Sequence, residues 1–335
     1  LKLQYFNIKL WARIKNKFIF IFTLLVIILI LKLLFSVYLS EKQGYESIDE
    51  EIKFLEEKTL EINSKSEKKE QSSDIFIPTF KNINSIGNLE ELQKYVYTID
   101  STAYVSAADL DIEKLLNVDC SADLNSENPK ILIFHTHSQE AFSDSREGYT
   151  EDTIIGVGRK LAEILADDYK INVVHDVGEY DIVNGKSART GSYENMENGG
   201  RKILEKYPSV EIAIDLHRDG VEGKKFVTEI NGKDTAQIMF FNGITKLNKN
   251  GVSEELPELL NPYLTENLGF SLQMFLTANE KYPDFCRKNY IKPYRYSLHL
   301  RPKSLLIEVG ANTNTVEEAK NAMYPLAEIL YDVVK

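Results

Sequence analysis

The chain has 335 residues, 43% hydrophobic and 27% charged, which is the balance of a folded globular protein rather than a disordered one. Its formal net charge of −11 excludes the broad basic face that phosphate recognition needs, so no nucleic-acid partner is expected. The charge is uneven: residues 1–40 carry Lys2, Lys9, Arg13, Lys15, Lys17 and Lys32 and no acid, which leaves −17 on the remainder.

Those cations precede residues 18–39, FIFIFTLLVIILILKLLFSVYL, a run apolar enough to cross a bilayer as one helix, which takes about 20 residues. Lys32 interrupts it, at a depth from which a lysine stem reaches the headgroups. Cations ahead of the span predict a cytoplasmic amino terminus and an exported body. The run exceeds a signal-peptide core, and no small-x-small cleavage site follows in FSVYLSEKQGYES, so an uncleaved anchor is expected rather than a removed leader. Residues 1–40 then form a basic head and transmembrane helix. Residues 41–85 read as a charged spacer. Ile48, Ile52, Leu55 and Ile62 fall at heptad-like spacing there, too briefly to define a coiled coil. Residues 86–128 form a lead-in segment with helical patches in NLEELQKYVY and DIEKLL, and 129–335 form the main domain.

From Pro129 onward strand and helix patterns alternate. Strands are predicted at 131–135 (ILIFH), 171–175 (INVVH), 210–216 (VEIAIDL), 236–241 (AQIMFF) and 304–309 (SLLIEV), and helices at 153–167, 192–206 and about 255–278. Short apolar strands separated by amphipathic helices predict an α/β fold, a mostly parallel sheet covered by helices on both faces. Asn231-Gly232 between two alternating runs predicts a hairpin. Thr315 and Glu318 predict a capping box at the start of a last helix running to the chain end. There is no internal repeat. Cys120 and Cys286 are the only cysteines, too few for a disulfide framework and outside any Cys/His cluster, so neither is expected to bind metal.

Three predicted strands end in polar residues that a plain core would not tolerate: HTHSQE after the first, DLHRD after the third, and Glu308 within SLLIEVG in the last. The carboxyl ends of parallel strands share one edge, so these groups can converge. His137 and Glu140 form a His-x-x-Glu pair that faces one way on a turn, and His217 would complete a His₂Glu set, the ligand class of catalytic zinc. Glu308 is placed to act as general base, since an acid in an apolar strand requires a partner or a task. His135 belongs to the surroundings of that set, or replaces His137 as the ligand. Glu151 is a rival carboxylate ligand, although an acid at a helix start also has a plain dipole explanation. Arg218 is a candidate for a substrate carboxylate, or else pairs with Asp219. His175 and His299 read as structural or exposed.

Taken together, ILIFHTHSQEAF, DLHRDG, FVTEINGKDTAQIMFF and SLLIEVGANTNT resemble the stage II sporulation protein P family, in order and in approximate spacing, with similarity from about residue 92 to the end. The resemblance implies a zinc-dependent N-acetylmuramoyl-L-alanine amidase, a peptidoglycan hydrolase with possible endopeptidase activity on cross-links and a zinc amidase or carboxypeptidase-like fold. It implies action during engulfment, at the engulfing septum or outer forespore membrane, with stage II sporulation proteins D and M as partners. By motif it places the metal at His137, Glu140 and His217 and the catalytic acid at Glu308. One departure stands in YSLHLRPKS, where the family pattern leads one to expect an acid near His299. The competing readings are a zinc carboxypeptidase that trims stem peptides and a catalytically silent, membrane-tethered scaffold.

Overall fold

The computed structural model describes residues 76–335 except Glu222. The anchor expected at 18–39 and residues 41–75 of the spacer lie outside the described residues, and among the described residues no helix is long and apolar enough to cross a membrane. Residues Ile75–Lys335 form one compact unit.

Its centre is a seven-stranded sheet built, in chain order, from β1 (Tyr97–Ile99), β2 (Ile131–Phe134), β3 (Val173–His175), β4 (Ile212–Asp219), β5 (Ile238–Gly243), β6 (Asn289–Lys292) and β7 (Lys303–Ala311). The spatial order is β1-β6-β5-β7-β4-β2-β3. Every neighbouring pair is parallel except β5 with β7, where the chain direction reverses. The sheet is therefore two parallel blocks meeting at one antiparallel seam. The lead-in segment supplies edge strand β1, and its Val96, Tyr97, Leu110 and Leu115 are buried in the same core as β4 and β7.

Strand alternation sorts side chains between two unlike faces. On one face Ile131, Ile133, Ile212, Ile214, Leu216, Ile238, Phe240, Leu305, Ile307 and Val309 join a single large core. Three long helices cover it: Ile154–Asp167, Leu264–Lys281 and Met323–Val334. On the other face Leu132, Phe134 and Ala213 meet Met196 and Leu204 of the helix Ser192–Lys206 in a much smaller cluster. Helices do lie on both sides, but unequally. The thin cover leaves room beside the carboxyl ends of β4 and β7, where Asp215, His217, Asp219 and Glu308 alternate with the core residues.

Several boundaries differ from expectation for local reasons. The helix expected from 255 starts at Leu264, because Asn250-Gly251 turns a hairpin (Lys246–Lys249 with Val252–Glu255) and Pro257 and Pro262 follow. Thr315 and Glu318 form the expected capping box, but the last helix breaks into Val316–Asn321 and Met323–Val334. Pro325 explains the break, since it has no N–H for the carbonyl of Asn321 and its ring crowds that carbonyl. The Asn231-Gly232 hairpin forms as a separate two-stranded ribbon (Val227–Ile230 with Lys233–Ala236), both turn residues having positive φ of 53° and 75°. Cys120 and Cys286 are free, buried thiols.

The helix Ile154–Asp167 begins at Thr153, whose hydroxyl accepts the Ile155 N–H, and it turns Ile154, Val157, Leu161, Ile164 and Leu165 to the sheet. Gly158 lies on that same side. A Cβ there would sit 2.6 Å from His135 Nε2 and 3.0 Å from His175 Nε2. Gly158→Ala is therefore expected to cost about 2–3 kcal/mol despite alanine's better helix propensity, because overpacking outweighs the propensity gain of about 1 kcal/mol. Urea unfolding midpoints of the two proteins check this.

Candidate active site

The site forms where β2 and β4 end and β7 passes beside them. In β4, Asp215 and His217 project to the thinly covered face two residues apart. Glu308 in β7 is the register partner of His217 and projects to the same face. The chain leaving β2 folds back through a turn, with the Glu140 N–H donating to the His137 carbonyl at 3.3 Å, and brings both side chains over β4.

Asp215 is fully buried and well satisfied. It accepts hydrogen bonds from the Thr136 N–H (2.9 Å), the Thr136 hydroxyl (2.6 Å) and the Ser297 hydroxyl (2.7 Å). His217 Nε2 stands 2.7 Å from Asp215 Oδ1, and His217 Nδ1 stands 3.3 Å from Glu140 Oε2. The first contact sets the imidazole against the Asp215 carboxylate at ion-pair distance, and its attraction is first one of charge. Glu140 Oε1 accepts from Arg189 Nη2 at 2.7 Å, and Glu140 Oε2 accepts from the Arg218 backbone N–H at 3.0 Å.

These contacts set the protonation states. Burial opposes charge on His217, but Asp215 and then Glu140 overcome it and hold the imidazole well above its ordinary range. His217 is thus a cation between two carboxylates. Burial, then the charge on His217, pushes His137 down to about 4, so its ring is neutral at pH 7. Glu308 is pushed the other way, up to about 8, first by burial and then by the negative charge of Asp219. Its Oε2 is enclosed and unpartnered. Glu308 is the sole described carboxyl group in the cleft driven into the range of neutral general acid–base work.

The structure brings together His137, Glu140, His217 and Glu308. The His137 and His217 rings meet edge to face at 5.4 Å between centroids. The side chains of the other candidates are engaged elsewhere. His135 projects to the opposite, helix-covered face, where Nδ1 meets the Leu216 carbonyl at 2.9 Å and Nε2 meets His175 Nε2 at 3.0 Å. Glu151 is half exposed and ion-paired with Arg159. The Arg218 guanidinium donates from Nε to the Ala141 carbonyl at 3.0 Å, while Asp219 takes Arg287 instead, at 2.9 Å.

Among the described residues no three His, Cys, Asp or Glu side chains meet around one point in metal-ligand geometry. The chemistry of the group nevertheless suits a divalent cation. His137 Nδ1 is buried with no partner, and the proton on His217 occupies a position between two carboxylates that a dication would also favour. His₂Glu with an adjacent free carboxyl group is the ligand pattern of catalytic zinc.

The profile of the family Stage II sporulation protein P (SpoIIP) matches residues 33–331. The chain belongs to this family. Stage II sporulation protein P of Bacillus subtilis (strain 168) is 21% identical over 217 residues, covering 61% of this chain and 50% of that protein, so the match spans about half the relative's length. Among solved structures, the N-acetylmuramoyl-L-alanine amidase AmiC2 of Nostoc punctiforme aligns at 11% identity and a TM-score of 0.35, over 61% of this chain and 96% of the other. An N-acetylmuramoyl-L-alanine amidase from Clostridium difficile 630 aligns at 16% identity and a TM-score of 0.34, over 62% and 95%.

Three neighbours of the site in this SpoIIP-family chain escaped the sequence reading. Asp215 had a signal, since DLHRD places a carboxylate two residues before the histidine and hence on its side of the strand. Tyr193, whose ring meets His137 edge-on at 5.6 Å, follows the uncapped start of its helix. Arg189 lies in the connection before that helix, 49 residues from the glutamate it binds, and nothing local to it announces the contact.

Proposed function

We propose that this chain is a membrane-anchored, zinc-dependent peptidoglycan hydrolase that cuts the amide between N-acetylmuramic acid and L-alanine during sporulation engulfment. Family membership supports the sporulation setting. The observation that carries the chemistry is Glu308, an unpaired carboxyl group of raised proton affinity in register with His217. His137, Glu140 and His217 would hold the zinc ion, which when bound polarises the amide carbonyl and acidifies a water molecule.

The chain's own groups do the rest. Glu308 Oε2 accepts the proton of the attacking water and returns it to the nitrogen of the departing alanine, two transfers that a carboxyl group poised near neutrality performs in turn. Asp215, fixed by Thr136 and Ser297, holds the His217 ring and keeps Nδ1 turned toward Glu140. Arg218 contributes its backbone N–H, which orients Glu140. The apolar run at 18–39 would tether the body outside the cytoplasm, at the engulfing septum or outer forespore membrane, with stage II sporulation proteins D and M as partners.

The test is product analysis with purified peptidoglycan. An amidase releases intact stem peptides with a new alanine amino terminus and leaves the lactyl group on the glycan as a free acid. Release of single terminal amino acids, with stems still attached to glycan, establishes the carboxypeptidase reading instead. No hydrolysis by zinc-loaded protein leaves the scaffold.

A further inference from the structure

Beside Glu308 lies an arginine that the mechanism above does not use. Arg287 follows Cys286 on the approach to β6, and its N–H donates to the Ile238 carbonyl at 2.8 Å, which pins it against the start of β5. Its guanidinium is fixed in two ways. Nη1 donates to Asp219 Oδ2 at 2.9 Å, and the flat face rests on the Phe226 ring at 3.8 Å from the centroid. Nε and Nη2 are both buried and have no hydrogen-bond partner.

Those two nitrogens lie on one edge of the guanidinium, the edge that grips a carboxylate with two parallel N–H···O bonds. A buried cation rarely leaves that edge unused. Glu308 is the carboxyl group within its electrostatic reach, since the Arg287 charge lowers the proton affinity that Asp219 raises. Yet Arg287 pairs with Asp219, and Glu308 Oε2 stays unpartnered. Asn312, whose N–H donates to the Asp219 carbonyl at 3.2 Å, adds a buried and unpartnered acceptor, Oδ1. Two donors on one edge are complementary to the free acid of a peptide segment.

We propose that the Nε/Nη2 edge of Arg287, held by Asp219 and Phe226, binds a carboxylate of the substrate peptide and makes this site selective for acidic stem peptides. The inference rests on the amidase reading and names the substrate feature that the site reads. Arg287 touches the substrate away from the scissile bond, so its contribution falls on KM for the acidic substrate. The second residue of a stem peptide is a γ-linked glutamate, whose α-carboxyl group occurs as the free acid or as the carboxamide. The acid satisfies both N–H groups at once, whereas the carboxamide brings its own donors against them.

The experiment uses the full zinc-loaded chain and two synthetic muramyl peptides that differ only in that group. The parent protein is expected to prefer the acid by about tenfold or more in KM, the scale of one charge-assisted bidentate contact. Arg287→Lys keeps the charge and removes the fork, and Arg287→Gln removes both. Each should abolish the preference, and Arg287→Lys, which keeps the charge that lowers the proton affinity of Glu308, should leave kcat on the carboxamide within about threefold of the parent value. Equal KM for the two peptides in the parent protein overturns the proposal without any variant. So does an equal loss on both peptides in variants whose near-ultraviolet circular dichroism is unchanged. If the parent protein cleaves neither peptide, the amidase reading fails, and calorimetric binding of the same pair decides the inference separately. Binding of the acid that Arg287→Lys abolishes supports it, and indifference between acid and carboxamide sinks it.

Discussion

Glu308→Gln is expected to abolish peptidoglycan hydrolysis, with a fall in kcat of at least about 10³-fold, while zinc stoichiometry stays unchanged. General acid–base transfer contributes about 10²–10⁴-fold, and here one carboxyl group serves both transfers. Glutamine keeps the shape of the side chain and the register of β7 with β4, and it leaves His137, Glu140 and His217 in place. Metal analysis and muropeptide assays on the same preparation separate the two effects. A variant that loses zinc together with activity would show Glu308 to be a ligand rather than the base.

The same variant has an expected effect on stability of opposite sign. In the folded chain the Glu308 carboxyl group is pushed up to about 8, against an ordinary value of 4.5. Between those values the folded state keeps a proton that the unfolded state releases, so stability falls as pH rises through the window. Glutamine cannot ionise and escapes that loss. Metal-free Glu308→Gln should therefore match the parent below about pH 4.5 and exceed it above about pH 8. The gain should be on the order of 1–3 kcal/mol, less than the full shift implies because the side chain is partly open to solvent. Denaturant titrations at the two ends of the window, with chelator present, measure it.

Much of this architecture is legible because the strands are apolar runs with polar ends. ILIF, IAIDLH and SLLIEV each bury one or both faces, so their hydrophobicity marks them without any partner, and their terminal histidines and acid stand out against it. The short strands Tyr97–Ile99 and Asn289–Lys292 give no such signal, being three and four residues long and holding Thr98, Asn289 and Lys292. Their identity as strands is decided by pairing across nearly 200 positions of chain. Turn chemistry was more legible than the reading of one hairpin suggests. Asn184-Gly185 and Asn250-Gly251 turn two further hairpins with the same positive φ pair as Asn231-Gly232. The arginines of the site are the reverse case. Arg189 and Arg287 are placed by contacts with Glu140 and Asp219, which lie 49 and 68 positions away in the chain, and nothing local to either arginine announces the pairing.

His137→Ala is expected to lower zinc affinity by more than about 100-fold, above the 10–100-fold that loss of an outer partner typically costs. The variant removes a neutral ring whose Nδ1 has no other partner, so little else is lost with it. His135→Ala is the informative contrast. Both nitrogens of that ring are used, by the Leu216 carbonyl and by His175, on the far side of the sheet from Glu140. It should keep zinc and instead lower stability by about 2–4 kcal/mol, through the cavity left and the partners stranded in it. Uptake of the ion has a further consequence at His217. That ring carries a proton in the metal-free chain, and a ligand must shed it, so zinc binding should release protons and tighten as pH rises. Competition with a chromogenic chelator across a pH series measures affinity and proton release together. If His135→Ala removes the zinc and His137→Ala retains it, the metal lies on the helix-covered face of the sheet, and Glu308 is then too far away to be its base.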